Sequence, residues 1–419
     1  MPSSPVPAPP ADPARSAEEI AQRSRITFRQ DRIRGACNGI LEAGVLTFGL
    51  VVAIRYFDAS PLAKAVVASA NACGLLLTPL SLFLYMRRGW TAAQAASLNF
   101  VLGALFLLAA TFAPTLGVFV PAHALGALFL AQQAPLLVHI YTANYAAHRR
   151  GRLLSNSIIL SLVTAVAFST LGGRAMDRNL ETYRLLYGSM VAAAIIASWA
   201  VSRMPAEPFT PTGNRNPLAA LRFVRDDAIF RSMLFVWMLM GVGNLMMLPL
   251  RIDYMANPVY GINATNAQIA IITVVVPSLV RIATTHVWGI FFDRHDFFII
   301  RTVLNGFFFV AILLFFSAHS LVWLGVAAGL FGLAMAGGNI AWNLWVTKFA
   351  APGRTSDYMS VHTFFTGIRG VGAPFLGFWL IAQLGAVKTS FIAASLVGLS
   401  MILLDPLRRK HHKLHPRST

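Results

Sequence analysis

The chain is poor in cysteine and in charge. Only Cys37 and Cys73 occur among 419 residues. Both fall inside apolar runs, where a free thiol behaves as a small hydrophobic group, so no disulfide is expected. Charged residues make up 12% of the chain against 56% hydrophobic. A water-soluble protein of this length cannot bury that much apolar surface and keep a wettable exterior. Acidic residues are scarcest, 16 against 34 lysines and arginines. The sequence has no GxxxxGK[ST] phosphate loop, no nucleophile elbow and no zinc helix motif, which leaves an enzyme without support. No His or Cys pair has metal-ligand spacing inside an apolar run, and neither metal nor cofactor is expected. The opening PSSPVPAPPADPA stretch lacks the basic and apolar regions of a cleaved signal and reads as a disordered tail, after which Ser16 with Glu19 reads as a capping box that opens a short basic helix towards Arg34, lying along the inner leaflet.

What fills the chain instead is a succession of apolar stretches, each close to the roughly 20 residues that a helix needs to cross a bilayer. They lack the short alternation of barrel strands, and unpaired backbone groups are costly in lipid, so the spans are expected to be α-helical. The expected fold class is an all-α membrane protein with twelve transmembrane helices in two six-helix bundles. Breaks in hydropathy place the first six spans near 35 to 57, 61 to 85, 91 to 112, 115 to 143, 153 to 174 and 184 to 203. The second six fall near 230 to 254, 266 to 292, 297 to 317, 320 to 348, 357 to 383 and 386 to 404. This divides the chain into a basic tail (1–34), an N-terminal bundle (35–203), a linker rich in Pro, Gly and Asn (204–229), a C-terminal bundle (230–404) and a second basic tail (405–419).

The formal net charge of +18 would suggest nucleic acid in a soluble protein, but the basic residues fall on alternate loops. Arg87 and Arg88 follow the second span, Arg149, Arg150 and Arg152 the fourth, and Arg408, Arg409 and Lys410 the last. The positive-inside rule then puts both termini in the cytoplasm and makes topology the source of the basicity, with no nucleic-acid partner. The expected location is the plasma or inner membrane, crossed many times, with the lipid bilayer as partner and the chain as a monomer.

The halves read as copies. Tyr145-Ala146-Ala147 with Arg150 after the fourth span corresponds to Phe349-Ala350-Ala351 with Arg354 after the tenth. Parallel six-span repeats are the architecture of alternating-access carriers, with the substrate held between the halves near the midplane.

Gly289-Ile290-Phe291-Phe292-Asp293-Arg294, with Arg301 opening the next span, resembles the G-x-x-x-D-R-x-G-R loop of the major facilitator superfamily. Its first-half counterpart, Tyr85-Met86-Arg87-Arg88-Gly89-Trp90, has no Asp. The resemblance implies the fold and transport, and a cytoplasmic gating loop formed by Gly289, Asp293, Arg294, Arg301, Arg87 and Arg88. The antiporter pattern of that family's fifth helix is reduced here to Gly172-Gly173, which reads as helix packing.

Ionisable residues inside spans carry the functional signal, because a charge in the bilayer costs a few kcal/mol or more unless it faces a partner or water. Arg281 lies about 18 Å from the Asp293 loop at 1.5 Å per residue, near mid-bilayer, and Arg369 is about as deep. Each reads either as structural, pairing with a carboxylate or with carbonyls freed at Pro277 or Pro374, or as a guanidinium offered to an anionic substrate. Glu42, in the cytoplasmic half of the first span, reads either as a proton-coupling carboxylate or as the counter-charge of one of these arginines. Gln132 with His139, and Asn339 with Asn343, share helix faces at spacings of seven and four. Together with Asn38, Asn244 and Trp342 they are expected to line a hydrated cavity, the plain alternative for each being an interhelical contact. The function expected is secondary active transport of a small polar, anionic metabolite by alternating access, with protons as a candidate second partner. The alternatives are efflux of amphiphilic compounds and a non-transporting receptor or scaffold on the same fold.

Overall fold

Backbone amides and carbonyls in hydrocarbon must be satisfied within their own segment, and the computed structural model answers with helices. It describes residues 17–209, 221–349 and 355–414, with only backbone for some of these, Asp293 and Asn343 included. The one β-bridge among the described residues joins Thr91 to Pro208. Eleven of the described helices are long and apolar enough to cross a bilayer. They are α1 (Glu18–Arg55), α2 (Pro61–Arg87), α3 (Ala92–Thr111), α4 (Leu116–Asn144), α5 (Arg149–Arg178), α6 (Leu180–Ser202), α7 (Ala228–Ala256), α8 (Asn266–Phe292), α9 (Phe297–Ser317), α10 (Leu321–Asn339) and a final helix, Tyr358–Lys410. The final helix is broken at Gly385, whose φ of +78° and ψ of 171° leave the helical region. Only glycine takes that φ without strain, so the segment divides into two arms, α11 (355–384) and α12 (386–414).

Local chemistry sets the starts of these helices. Ser60 accepts from the Ala63 amide ahead of α2, with Pro61 in the first turn. Thr91 with Gln94 and Thr265 with Gln268 form reciprocal capping boxes at α3 and α8, which satisfy amides that a helix leaves unpaired. Asp227 accepts from the amides of Ile229 and Phe230 to open α7. Large apolar side chains on the outside, such as Leu171, Leu185, Val322 and Ile402, are more than two-thirds exposed. Such a surface is stable against lipid rather than water.

Ser16 lies outside the described residues. Residues 18–34 are helical, as expected of the basic stretch towards Arg34, but they run without a break into the first span instead of forming a separate short helix. The reason is Asp31, which is fully buried and accepts hydrogen bonds from Arg34 Nε at 2.8 Å, Tyr141 Oη at 2.5 Å and Ser157 Oγ at 2.5 Å. Asp31 and Arg34 are thereby held between α1, α4 and α5, while Arg25, Arg29 and Arg32 stay exposed. Asn144 at the end of α4 adds bonds to Thr27 and to the Pro205 carbonyl, and Arg23 reaches both Asn144 and Glu207. The start of α1, the end of α4 and residues 205–207 are thus tied at one end of the molecule, called here the linker end.

Within the first six helices, α1 packs on α5 and α6, while α4 packs on α2 and α3. Within the remainder, α7 packs along the final two arms, and α10 on α8 and α9. The two groups meet where α2 packs on α11, where α5 meets the start of α8, and where the end of α1 meets α7.

Candidate functional site

Two helices lose their regular winding at the meeting of the groups. Gly44–Phe48 in α1 and Ile271–Val275 in α8 form π-helical turns, a distortion that recurs at functional sites because it re-aims side chains. Both border a cavity of about 350 Å³ enclosed by α1, α2, α5, α7, α8, α10 and α11. Most of its wall is apolar: Leu46, Leu50 and Val67 from the first group, and Leu245, Leu248 and Phe331 from the second.

Among the described residues three charged side chains line it: Glu42 from the first group, and Arg251 and Arg281 from the second. Glu42 is exposed into this space, and Asn38 Nδ2 donates to its Oε2 at 3.4 Å. Asn38 also donates to Ser161 Oγ at 3.3 Å and accepts from Gln133 Nε2 at 3.2 Å. Arg281 faces Glu42 across the interface, close enough for its charge to act on the carboxylate, though the two form no ion pair within 4 Å. The Arg251 guanidinium lies 3.8 Å from the centre of the Phe331 ring, a cation–π contact, and its Nε has no hydrogen-bond acceptor among the described residues. Among the described residues the cavity therefore offers two guanidinium groups against one carboxylate.

At the end opposite the linker the groups are bound together. Lys64 on α2 and Asp253 on α7 form a buried ion pair at 2.7 Å, their side chains 9% and 3% exposed. Tyr260 lies beyond α7, and burial first and the Asp253 carboxylate second push its hydroxyl above the usual tyrosine range. Arg55 at the end of α1 donates to Asn266 Oδ1 at 2.6 Å and to the carbonyls of Ala256 and Ala264. Asp177 at the end of α5 accepts from the first amides of α8, Asn266 at 2.6 Å and Ala267 at 3.1 Å, where a helix start favours negative charge. Gly173 allows that approach, since a Cβ there would sit 2.7 Å from Ala267 Cα. Among the described residues, the hydrogen bonds and the ion pair that join the two groups all lie at this far end.

The sequence matches the family model of the Major Facilitator Superfamily over residues 95–374. The chain belongs to that superfamily. No individual curated protein aligns significantly with the sequence. Solved structures of similar fold include the nucleoside transporter NupG (TM-score 0.67, 12% identity, 91% of this chain and 98% of that one). A bacterial homologue of the human lysosomal transporter Spinster, inward-facing and occupied, gives 0.64 at 13% identity over 94% and 98% of the chains. The human organic anion transporter MFSD10 (TETRAN) gives 0.63 at 15% over 93% and 100%.

The superfamily fold distributes the sequence-predicted residues unevenly. Glu42 and Arg281 line the central cavity, and Asn38 stands behind Glu42. Arg369 does not line it: it is 7% exposed and donates through Nη1 to the Trp237 carbonyl at 2.5 Å, in a slot left by Gly241. Arg301, expected in the gating loop, is buried in the same region with its guanidinium 3.8 Å from the Trp237 ring centre. His139 is exposed and packs on Phe209 at 5.0 Å rather than entering the cavity. The reason is that α4 is interrupted at Gln132, which is buried at the break, so the seven-residue spacing does not keep one face. Gln133, not Gln132, reaches Asn38.

Asn244 is buried beside Arg251 in the wall of a much smaller void and leaves its Oδ1 without a donor. Trp342 packs on His362 at 5.5 Å, and Asn339 is exposed. Arg87 and Arg88 are exposed beside the Phe83 and Trp90 rings, Arg294 is exposed and Gly289 partly so. The side chains of Asn343 and Asp293 lie outside the described residues. Arg251, Lys64, Asp253 and Arg55 are additions that hydropathy boundaries hid, because each stands near a span end, where charge looks like a solvated flank.

Proposed function

We propose that this superfamily member is a secondary carrier that moves a small organic anion across the membrane by alternating access, in symport with protons. The chain crosses the bilayer twelve times with both ends in the cytoplasm. The linker end then faces the cytoplasm and the bound far end faces outward, which gives the present arrangement the character of a state closed to the outside. One observation carries the substrate class: the cavity presents Arg251 and Arg281 against the single carboxylate of Glu42. A guanidinium fork suits a carboxylate or phosphate, and the apolar wall suits the body of an organic anion better than a sugar's hydroxyls.

Coupling follows from competition for Arg281. While Glu42 is ionised it holds part of the attraction of Arg281 across the interface. Protonation of Glu42 removes that rival, and the substrate anion takes its place, so a proton and an anion enter the occluded state together and the added charge is neutral. Asn38, fixed by Ser161 and Gln133, keeps the carboxyl oriented in both forms.

A thermal-shift screen of the purified protein against organic anions, sugars and lipophilic cations tests the substrate class. A ligand at 100 times its Kd stabilises by about 2.7 kcal/mol, which makes a binder visible. Stabilisation by one class of organic anion, lost in Arg251→Gln and Arg281→Gln, is expected. The apolar wall also favours a second reading, efflux of amphiphilic compounds. Stabilisation mainly by lipophilic cations, unchanged in both variants, would select that reading and make the cavity arginines structural.

A further inference from the structure

The second group of helices buries two arginines that meet no carboxylate among the described residues. Arg301 on α9 and Arg369 on α11 are 3% and 7% exposed. Neither forms an ion pair among the described residues, and neither lines the central cavity. They converge on Trp237 of α7, Arg301 over its ring and Arg369 on its carbonyl, and lie within electrostatic reach of each other and of His362. Among the described residues, the buried donors Arg301 Nη2, Arg369 Nε, Trp237 Nε1 and Thr366 Oγ1 meet no acceptor, and neither ring nitrogen of His362 has a partner. His362, Thr366 and Arg369 fall on one face of α11, at spacings of four and three.

Buried polar groups are paired in nearly every protein, and a cluster of unpaired ones points to a water or an ion. Water would satisfy the N–H groups but leave two like charges in a low-dielectric core, at several kcal/mol each. Arginine does not escape by losing its proton. An anion answers both demands. The walls restrict it to a small one: Trp237 and Trp345 pack at 5.6 Å, and Gly241 has no room for even a Cβ beside Arg369. We propose that Arg301 and Arg369, with Trp237 and Thr366, form a binding site for a small monovalent inorganic anion of the halide type. The site clamps α7, α9 and α11 together and is separate from the transport cavity.

The test uses the purified full-length protein in gluconate buffer at constant ionic strength. Chloride is titrated against the thermal midpoint, and iodide against tryptophan fluorescence. A saturable rise of a few degrees is expected with chloride, with half-saturation shifted at least tenfold in Arg301→Gln and Arg369→Gln. Iodide quenching should contain a saturable component that disappears in Trp237→Phe. Both responses should persist in Arg281→Gln, which separates this site from the proposed substrate site. A response that is linear in both readouts would overturn the proposal, as would a saturable one unchanged in the arginine variants. Should those variants fail to purify, the wild type and Trp237→Phe decide by quenching alone.

Discussion

Replacing Asp253 by asparagine tests what holds the far end shut. Lys64 and Asp253 belong to opposite groups of helices and meet at 2.7 Å with almost no exposure. Removing one partner of such a buried pair leaves the other charge uncompensated, at about 3–5 kcal/mol. That cost falls on the state in which the pair is buried, because a separated far end lets Lys64 reach water. A shift of 3 kcal/mol is about two powers of ten in population, so a far-end-open state held by about 1% of molecules would approach half of them. The assay needs a background without thiols, Cys37→Ala with Cys73→Ala, and one cysteine in place of Val67 on the cavity wall. Labelling by an impermeant maleimide from the outer face should then accelerate about fifty-fold in Asp253→Asn. The exchange Lys64→Asp with Asp253→Lys should restore slow labelling. A folded Asp253→Asn protein that labels at the parent rate would refute the reasoning.

Three further outcomes follow from the same geometry. Glu42→Gln should abolish the pH dependence of uptake in proteoliposomes while substrate exchange at equal pH persists; equal loss of both would make Glu42 structural. Gly173→Leu drives a side chain into the Ala267 backbone, an overpacking worth about 1–3 kcal/mol against far-end closure, and should accelerate labelling at position 67 without Asp253 being touched. Asp31→Asn weakens an acceptor for Arg34, Tyr141 and Ser157 and leaves Arg34 uncompensated. A loss of about 3 kcal/mol should appear as a lower thermal midpoint, with no change in substrate affinity at the temperatures where the protein remains folded.

The helical spans were legible because membrane burial writes itself as uninterrupted hydropathy, and the break at Gly385 fell between the expected eleventh and twelfth spans. Glu42 and Arg281 stood out because a charge in mid-span has few explanations. Depth, however, does not give direction. Counting along its span puts Arg369 at the same expected depth as Arg281, yet it turns toward Gly241 and Trp237 within its own group, and only the packing of α7 on α11 shows it. Arg251 was hidden by its distance of two residues from Asp253 near a span end, although Asp253 spends its charge on Lys64 from the other group and leaves Arg251 to the cavity. Helix-face spacing misled at His139 because it assumes a continuous helix, which the turn at Gln132 denies. The helix leading to Arg34 read as a separate surface helix because Asp31 looks like solvated charge when its partners on α4 and α5 are over a hundred residues away.

The most direct test of the central claim is uptake into proteoliposomes under an inward proton gradient, using the organic anion that best stabilises the protein. The account predicts concentrative uptake that collapses with a protonophore and is lost in Arg251→Gln and Arg281→Gln. Uptake indifferent to the gradient and to both arginines, or transport only of cations, would contradict it.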